Sequence, residues 1–235
     1  SGKAVRAKSG DYNACKTIVN SITPLQAVDA LVFTLAPDLM YSNGPTGYVT
    51  AANRLKTGEA LLFRFIPPVH PQNVSQNKES DVRYWSICVG DTVTRTPFTV
   101  ADRQIVKSND GYVNFAIVEK RDPYLDAIKA KAESMKINVI VWDGATFGEP
   151  MMVFYRQMYI RDGFEHSVQR IPAFPPLTAA GLPDATAEIK PENMAHVSLG
   201  EHGPSGLKMP SAAILQETFD YSYMRIPTQL SLLHI

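Results

Sequence analysis

A chain of 235 residues, 45% hydrophobic and 20% charged, is long enough to bury a substantial core and has the composition of an ordinary globular protein. Its 23 basic residues balance its 23 acidic ones, which gives no support to a nucleic-acid-binding role. No apolar run approaches the ~20 residues that a membrane-crossing helix needs.

Residues 1–20 show no clear period. Leu25, Val28, Leu31, Val32 and Leu35 then recur at spacings of three and four, with Thr23 placed to cap, Pro24 in the first turn and Pro37 just beyond. This spacing predicts a short amphipathic helix over 24–35. Turn residues fill 41–47. Stretches 48–53 and 59–66 read as strands joined by the Lys56-Thr57-Gly58 turn, a hairpin, and Pro67, Pro68 and Pro71 force an extended exit into a polar loop.

The stretch 81–91 alternates: Trp85, Ile87 and Val89 share one face, and Tyr84, Ser86 and Cys88 the other. Bulky side chains on both faces predict a central strand. Strands are expected again over 99–106 and 112–119, with Asp110-Gly111 as the turn of a second hairpin. Asp122 and Pro123 then open a helix over 122–135, with Leu125, Ile128, Ala132 and Met135 as its apolar stripe. Strands follow over 137–142 and 151–159, and a helical turn over 164–171.

From Pro172 the alternation stops and seven prolines punctuate the chain as far as Pro210. The expected architecture is mainly β: an antiparallel β-sandwich over 1–171 with two or three short peripheral helices, followed by an extended, ordered Pro-rich arm over 172–235 that packs on the domain or on a partner. Cys15 and Cys88 are compatible with one disulfide or with two buried free thiols, and the start at Ser1 is read as a hint of export.

Chemistry is sparse. Arg64 shares its strand face with Leu62 and Ile66, and Arg156 shares its own with Phe154 and Met158. A buried guanidinium needs partners, and Asp91, Asp102 and Asp143 at strand ends are the candidate carboxylates. Two readings stay open. One is an arginine-lined pocket for a carboxylate or phosphate, walled by Tyr84 and Trp85; the other is a structural ion-pair network. His166, His196, His202 and His234 have no metal-site spacing, so no metal and no cofactor are expected. Neither a nucleophile elbow nor a phosphate-cradling glycine loop occurs.

Tyr84-Trp85-Ser86, Asp91, Asp102-Arg103, Asp110-Gly111, Trp142 and the 156–159 strand end resemble the C-terminal pattern of the domain-of-unknown-function 1214 family, over residues 41–171. The resemblance implies a β-sandwich or jelly-roll-like fold and a periplasmic or secreted location, and it brings no activity. The helical insert 122–135 and the tail after Pro172 depart from that pattern. The function expected is a non-catalytic binding or assembly subunit whose arm grips a protein partner or a second copy. The alternative is an enzyme or small-molecule binder using the arginines for an anionic ligand.

Overall fold

The computed structural model describes residues 30–35, 46–71, 80–91, 95–179, 184 and 186–220. Among these residues ten strands form two five-stranded sheets. The first holds β1 (Ala30–Val32), β4 (Glu59–Phe65), β7 (Val113–Glu119), β8 (Ile137–Trp142) and β10 (Ser205–Pro210), in the order β1-β10-β4-β7-β8. The second holds β2 (Thr34–Leu35), β3 (Thr46–Arg54), β5 (Val82–Gly90), β6 (Phe98–Ala101) and β9 (Pro150–Ile160), in the order β2-β3-β9-β5-β6.

Alternation decides what lies between the sheets. Leu61, Phe63, Phe65 and Phe115 of the first sheet and Val49, Trp85, Ile87, Val153 and Tyr155 of the second belong to one buried cluster, the core of a sandwich. Across it, the Phe65 and Tyr155 rings lie 4.5 Å apart, and Trp85 meets Phe65 edge-on at 5.6 Å. The expected central strand is therefore central: β5 pairs with β9 on one side and β6 on the other.

The outer face of the first sheet is covered by α1 (Leu125–Met135), whose Leu125, Ile128 and Ala132 pack on Ala60, Leu62, Ala116 and Val118. Lys129 and Glu133 face solvent, as their place off the apolar stripe implies. This helix has a topological task as well. It carries the chain from β7 to β8, which pair in parallel, whereas every other pairing is antiparallel. A parallel neighbour requires such a crossover.

Several expectations change. Residues 30–35 are strand, not helix: Leu31 and Phe33 enter the main core while Val32 packs on Met194. The i+3/i+4 spacing of a short apolar run does not distinguish the two. The rest of the expected helix, 24–29, lies outside the described residues. The first predicted hairpin does not form, because β3 and β4 belong to different sheets. β6 and β7 are also in different sheets, and only an isolated antiparallel bridge, Lys107 with Val113, spans the Asp110-Gly111 turn among the described residues. The Lys56-Thr57-Gly58 reversal is pinned instead to the corner after β7. There Gly58 N donates to the Asp122 carboxylate at 2.9 Å, and the Thr57 hydroxyl to Glu119 at 3.3 Å.

The stretch after Pro172 does not lie wholly outside the sandwich. Its β10 sits between β1 and β4, inside the first sheet. Gly206 makes this possible: a Cβ there would stand 1.9 Å from the Leu62 carbonyl oxygen. Residues 221–235 lie outside the described residues. Cys88 is a buried free thiol, so the expected bridge is not formed here; Cys15 lies outside the described residues.

Candidate functional site: two arginines on opposite faces

The same alternation that fills the core turns the two arginines away from each other. In β4 the core takes Leu61, Phe63 and Phe65, so Arg64 points with Ala60 and Leu62 to the outer face of the first sheet. In β9 the core takes Met151, Val153 and Tyr155, so Arg156 points with Phe154 and Met158 to the outer face of the second. The whole sandwich separates them. The expected pocket lined by both is not present.

Arg64 is buried and closed in. Its guanidinium pairs with the Asp110 carboxylate and lies 3.6 Å above the centre of the Tyr112 ring. Burial works to raise the pKa of Asp110, but hydrogen bonds from the Ser108 hydroxyl and from Arg64 outweigh it and hold the carboxyl below its ordinary value. Here the structural reading of the sequence applies, with Asp110 as partner. Asp91, Asp102 and Asp143 play no part in it.

Those three carboxylates have local tasks. Asp91 closes the loop after β5 through the Arg95 amide at 2.9 Å and the Arg95 side chain at 2.6 Å. Asp143 caps the short helix α2 (Gly144–Phe147) by accepting from Thr146 N, and pairs with Lys120 at 2.9 Å. Its pKa is lowered chiefly by the Lys120 hydrogen bond. Asp102 is buried and accepts the amides of Trp85 at 3.3 Å and Arg103 at 2.7 Å.

Arg156 is different. It is half-buried, and among the described residues it has no carboxylate within salt-bridge distance. Its Nε is buried without a hydrogen-bond partner, and one terminal nitrogen points at the Met158 sulfur. The rings of Tyr48 and Tyr84 flank the guanidinium, each centred 5.7 Å from it. Pairing register puts them there: Arg156 stands opposite Tyr48 of β3 and Ser86 of β5, and Tyr84 stands opposite Met158. Of the expected site residues, then, Arg156 and Tyr84 come together. Tyr48 was missed; only the register of β3 against β9 reveals it.

Trp85, expected as a pocket wall, is a core residue instead. Its indole N–H donates to Nδ1 of His70 at 3.3 Å. Burial lowers the pKa of His70, Asp102 works in the opposite direction, and Lys107 and Arg103 add to the lowering. His166 stacks on His202 with ring centres 3.8 Å apart. His196 is half-buried with both ring nitrogens lacking partners, and burial lowers its pKa. Among the described residues no group of three or more His, Cys, Asp or Glu side chains is placed to hold a metal ion. No helix among them is long and apolar enough to cross a membrane.

No family model and no curated protein matches the chain. Among solved structures, the chain is similar to an uncharacterised protein from Burkholderia cenocepacia, with 11% identity and a TM-score of 0.42 over 77% of this chain. It is also similar to a protein from Vibrio parahaemolyticus, with 12% identity and a TM-score of 0.29 over 50% of this chain. The chain spans 36% and 27% of the length of those two proteins.

Proposed function

We propose that the protein is a non-catalytic binding or assembly subunit, and that the group it recognises is anionic and docks at Arg156 between Tyr48 and Tyr84. One observation carries this reading: a half-buried guanidinium with no carboxylate partner among the described residues, sandwiched by aromatic rings. A desolvated cation gains most from a charge brought by a ligand, and the planar guanidinium favours a carboxylate or phosphate bound in bidentate fashion. An enzyme reading needs a general base within reach. The two residues paired with Arg156 in register are Tyr48 and Ser86, and neither is a histidine or a carboxylate.

The resemblance to the domain-of-unknown-function 1214 family, with the periplasmic or secreted location it implies, belongs to the same proposal. So does a protein partner or second copy held by the stretch after Pro172. With β10 committed to the chain's own sheet, exposed Leu177 is, among the described residues, a part of that stretch that can meet a partner.

Phenyl phosphate and inorganic phosphate, titrated into the protein while the Tyr48 and Tyr84 ring resonances are followed by NMR, test the site. Saturable shifts at about millimolar ligand, lost in Arg156→Met, are expected. Equal shifts in wild type and Arg156→Met, or none in either, would remove the anion site.

A further inference from the structure

The segment from Ile66 to His70 leaves β4 of the first sheet and meets Asp81 and Val82 at the start of β5 in the second. With prolines at positions 67, 68 and 71 it has few amide donors of its own, so a small set of contacts must hold it. Ile66 N donates to the Glu201 carbonyl at 2.7 Å, and the Ile66 carbonyl lies 3.1 Å from Nδ1 of His202. The Val69 carbonyl accepts from the amides of Asp81 at 2.8 Å and Val82 at 3.2 Å, and Val69 N donates to the Asp81 carboxylate at 2.9 Å. At the far end, His70 accepts the indole N–H of Trp85.

One of these contacts, the Trp85 indole N–H on Nδ1 of His70, requires a neutral imidazole. We propose that Ile66–His70 is an acid-released strap, closed when His70 and His202 are neutral and opened when they take up protons. At His70 the reason is direct. Nδ1 is the acceptor for an N–H, so a proton placed there sets donor against donor over the buried edge of Trp85. At His202 the bond to the Ile66 carbonyl survives protonation, but burial and the His166 ring stacked face to face on it disfavour a charge there.

The groups facing each histidine do not cancel this. Around His70, burial opposes the cation most, joined by Lys107 and Arg103, while Asp102 and a hydrogen bond to the Pro68 backbone favour it. Around His202, burial and His166 oppose the cation, while the hydrogen bond to the Ile66 carbonyl, Asp81 and Glu201 favour it, and Asp81 is already engaged by Arg161 at 2.9 Å. Both histidines end below their ordinary value. The closed strap therefore binds fewer protons than the open one, so closure is complete above about pH 6.5 and is lost as pH falls through the lowered values.

Hydrogen exchange read by mass spectrometry, corrected for the intrinsic pH dependence of exchange, tests the device on the full chain. Between about pH 7.5 and about pH 5, protection in the peptide spanning 66–71 should fall by about tenfold or more, while peptides from β7 and β9 keep theirs. In the double variant His70→Gln with His202→Gln the fall should largely disappear. Unchanged protection of 66–71 across that range in the wild type overturns the proposal, as does an undiminished fall in the double variant. Should the variant fail to fold at neutral pH, the wild-type comparison decides together with the imidazole resonances of His70. Titration of His70 at or above its ordinary value, with 66–71 still protected, defeats the strap.

Discussion

The two outer faces of this sandwich pose the same problem and solve it differently. Each carries an arginine in an otherwise apolar row. On the first sheet, Arg64 is matched inside the chain by Asp110 and Tyr112, next to a face that α1 covers. On the second, Arg156 has two tyrosine rings and, among the described residues, no carboxylate. The contrast teaches that an arginine in a strand says nothing by itself. What separates a structural cation from a candidate binding cation is whether a counter-charge stands within a few ångströms.

The first sheet depends on its interior strand, and breaking that strand should give the largest effect. Gly206→Ala drives a methyl group into the Leu62 carbonyl oxygen, so β10 must move away from β4. We expect a loss of about 3 kcal/mol in urea unfolding, with a change in amide protection of β4 and β1. If β10 were an accessory strap, the same substitution would leave both strands protected.

Next comes the internal ion pair. Asp110→Ala leaves the Arg64 guanidinium buried without its carboxylate. A fully buried pair broken this way costs about 3–5 kcal/mol. Asp110 is 43% exposed, so solvent screening reduces the expectation to about 2 kcal/mol. The double variant Arg64→Met with Asp110→Ala should recover most of it, since replacing both charges is often nearly neutral. The pH dependence has a fixed sign. The folded-state pKa of Asp110 is depressed, so its contribution is present above the unfolded value of about 3.9 and lost as pH falls through the lowered one. The stability gap between wild type and Asp110→Asn should therefore close in strong acid. A gap independent of pH would show that Asp110 acts by packing.

Much of this arrangement was legible in the sequence. Alternation marked β5, strands were expected where β8 and β9 lie, periodicity marked the helix that covers the first sheet, and the placing of Arg64 with Leu62 on one strand face was correct. Sheet membership was not legible. Lys56-Thr57-Gly58 and Asp110-Gly111 both reverse the chain, and the second is stamped by the positive φ of Gly111, yet a reversal leaves open whether the next strand pairs with the last or crosses to the other sheet. That one missing piece left a pocket shared by Arg64 and Arg156 open as one of two readings of the sequence, whereas the structure puts them on opposite outer faces. β10 was hidden for a different reason. Its six residues carry a glycine and a proline, and the glycine is there because a neighbouring backbone lies too close for any side chain.

The smallest stability change, and the sharpest test of the comparison, belongs to Arg156. It makes no ion pair among the described residues, so Arg156→Met should alter stability by only about 0.5 kcal/mol in either direction, well below the effect at Asp110. Arg156→Lys separates charge from shape. It keeps the cation but loses the flat guanidinium that spans two rings, each within the ~6 Å range of a cation–π contact. If the site takes an oxyanion by bidentate contact, Lys should bind phenyl phosphate several-fold more weakly than Arg at nearly unchanged stability, and Met not at all. Should Arg156→Met instead cost as much as Asp110→Ala, the guanidinium is held by the fold as Arg64 is, and the difference between the two faces is one of partner type, with no vacancy left for a ligand.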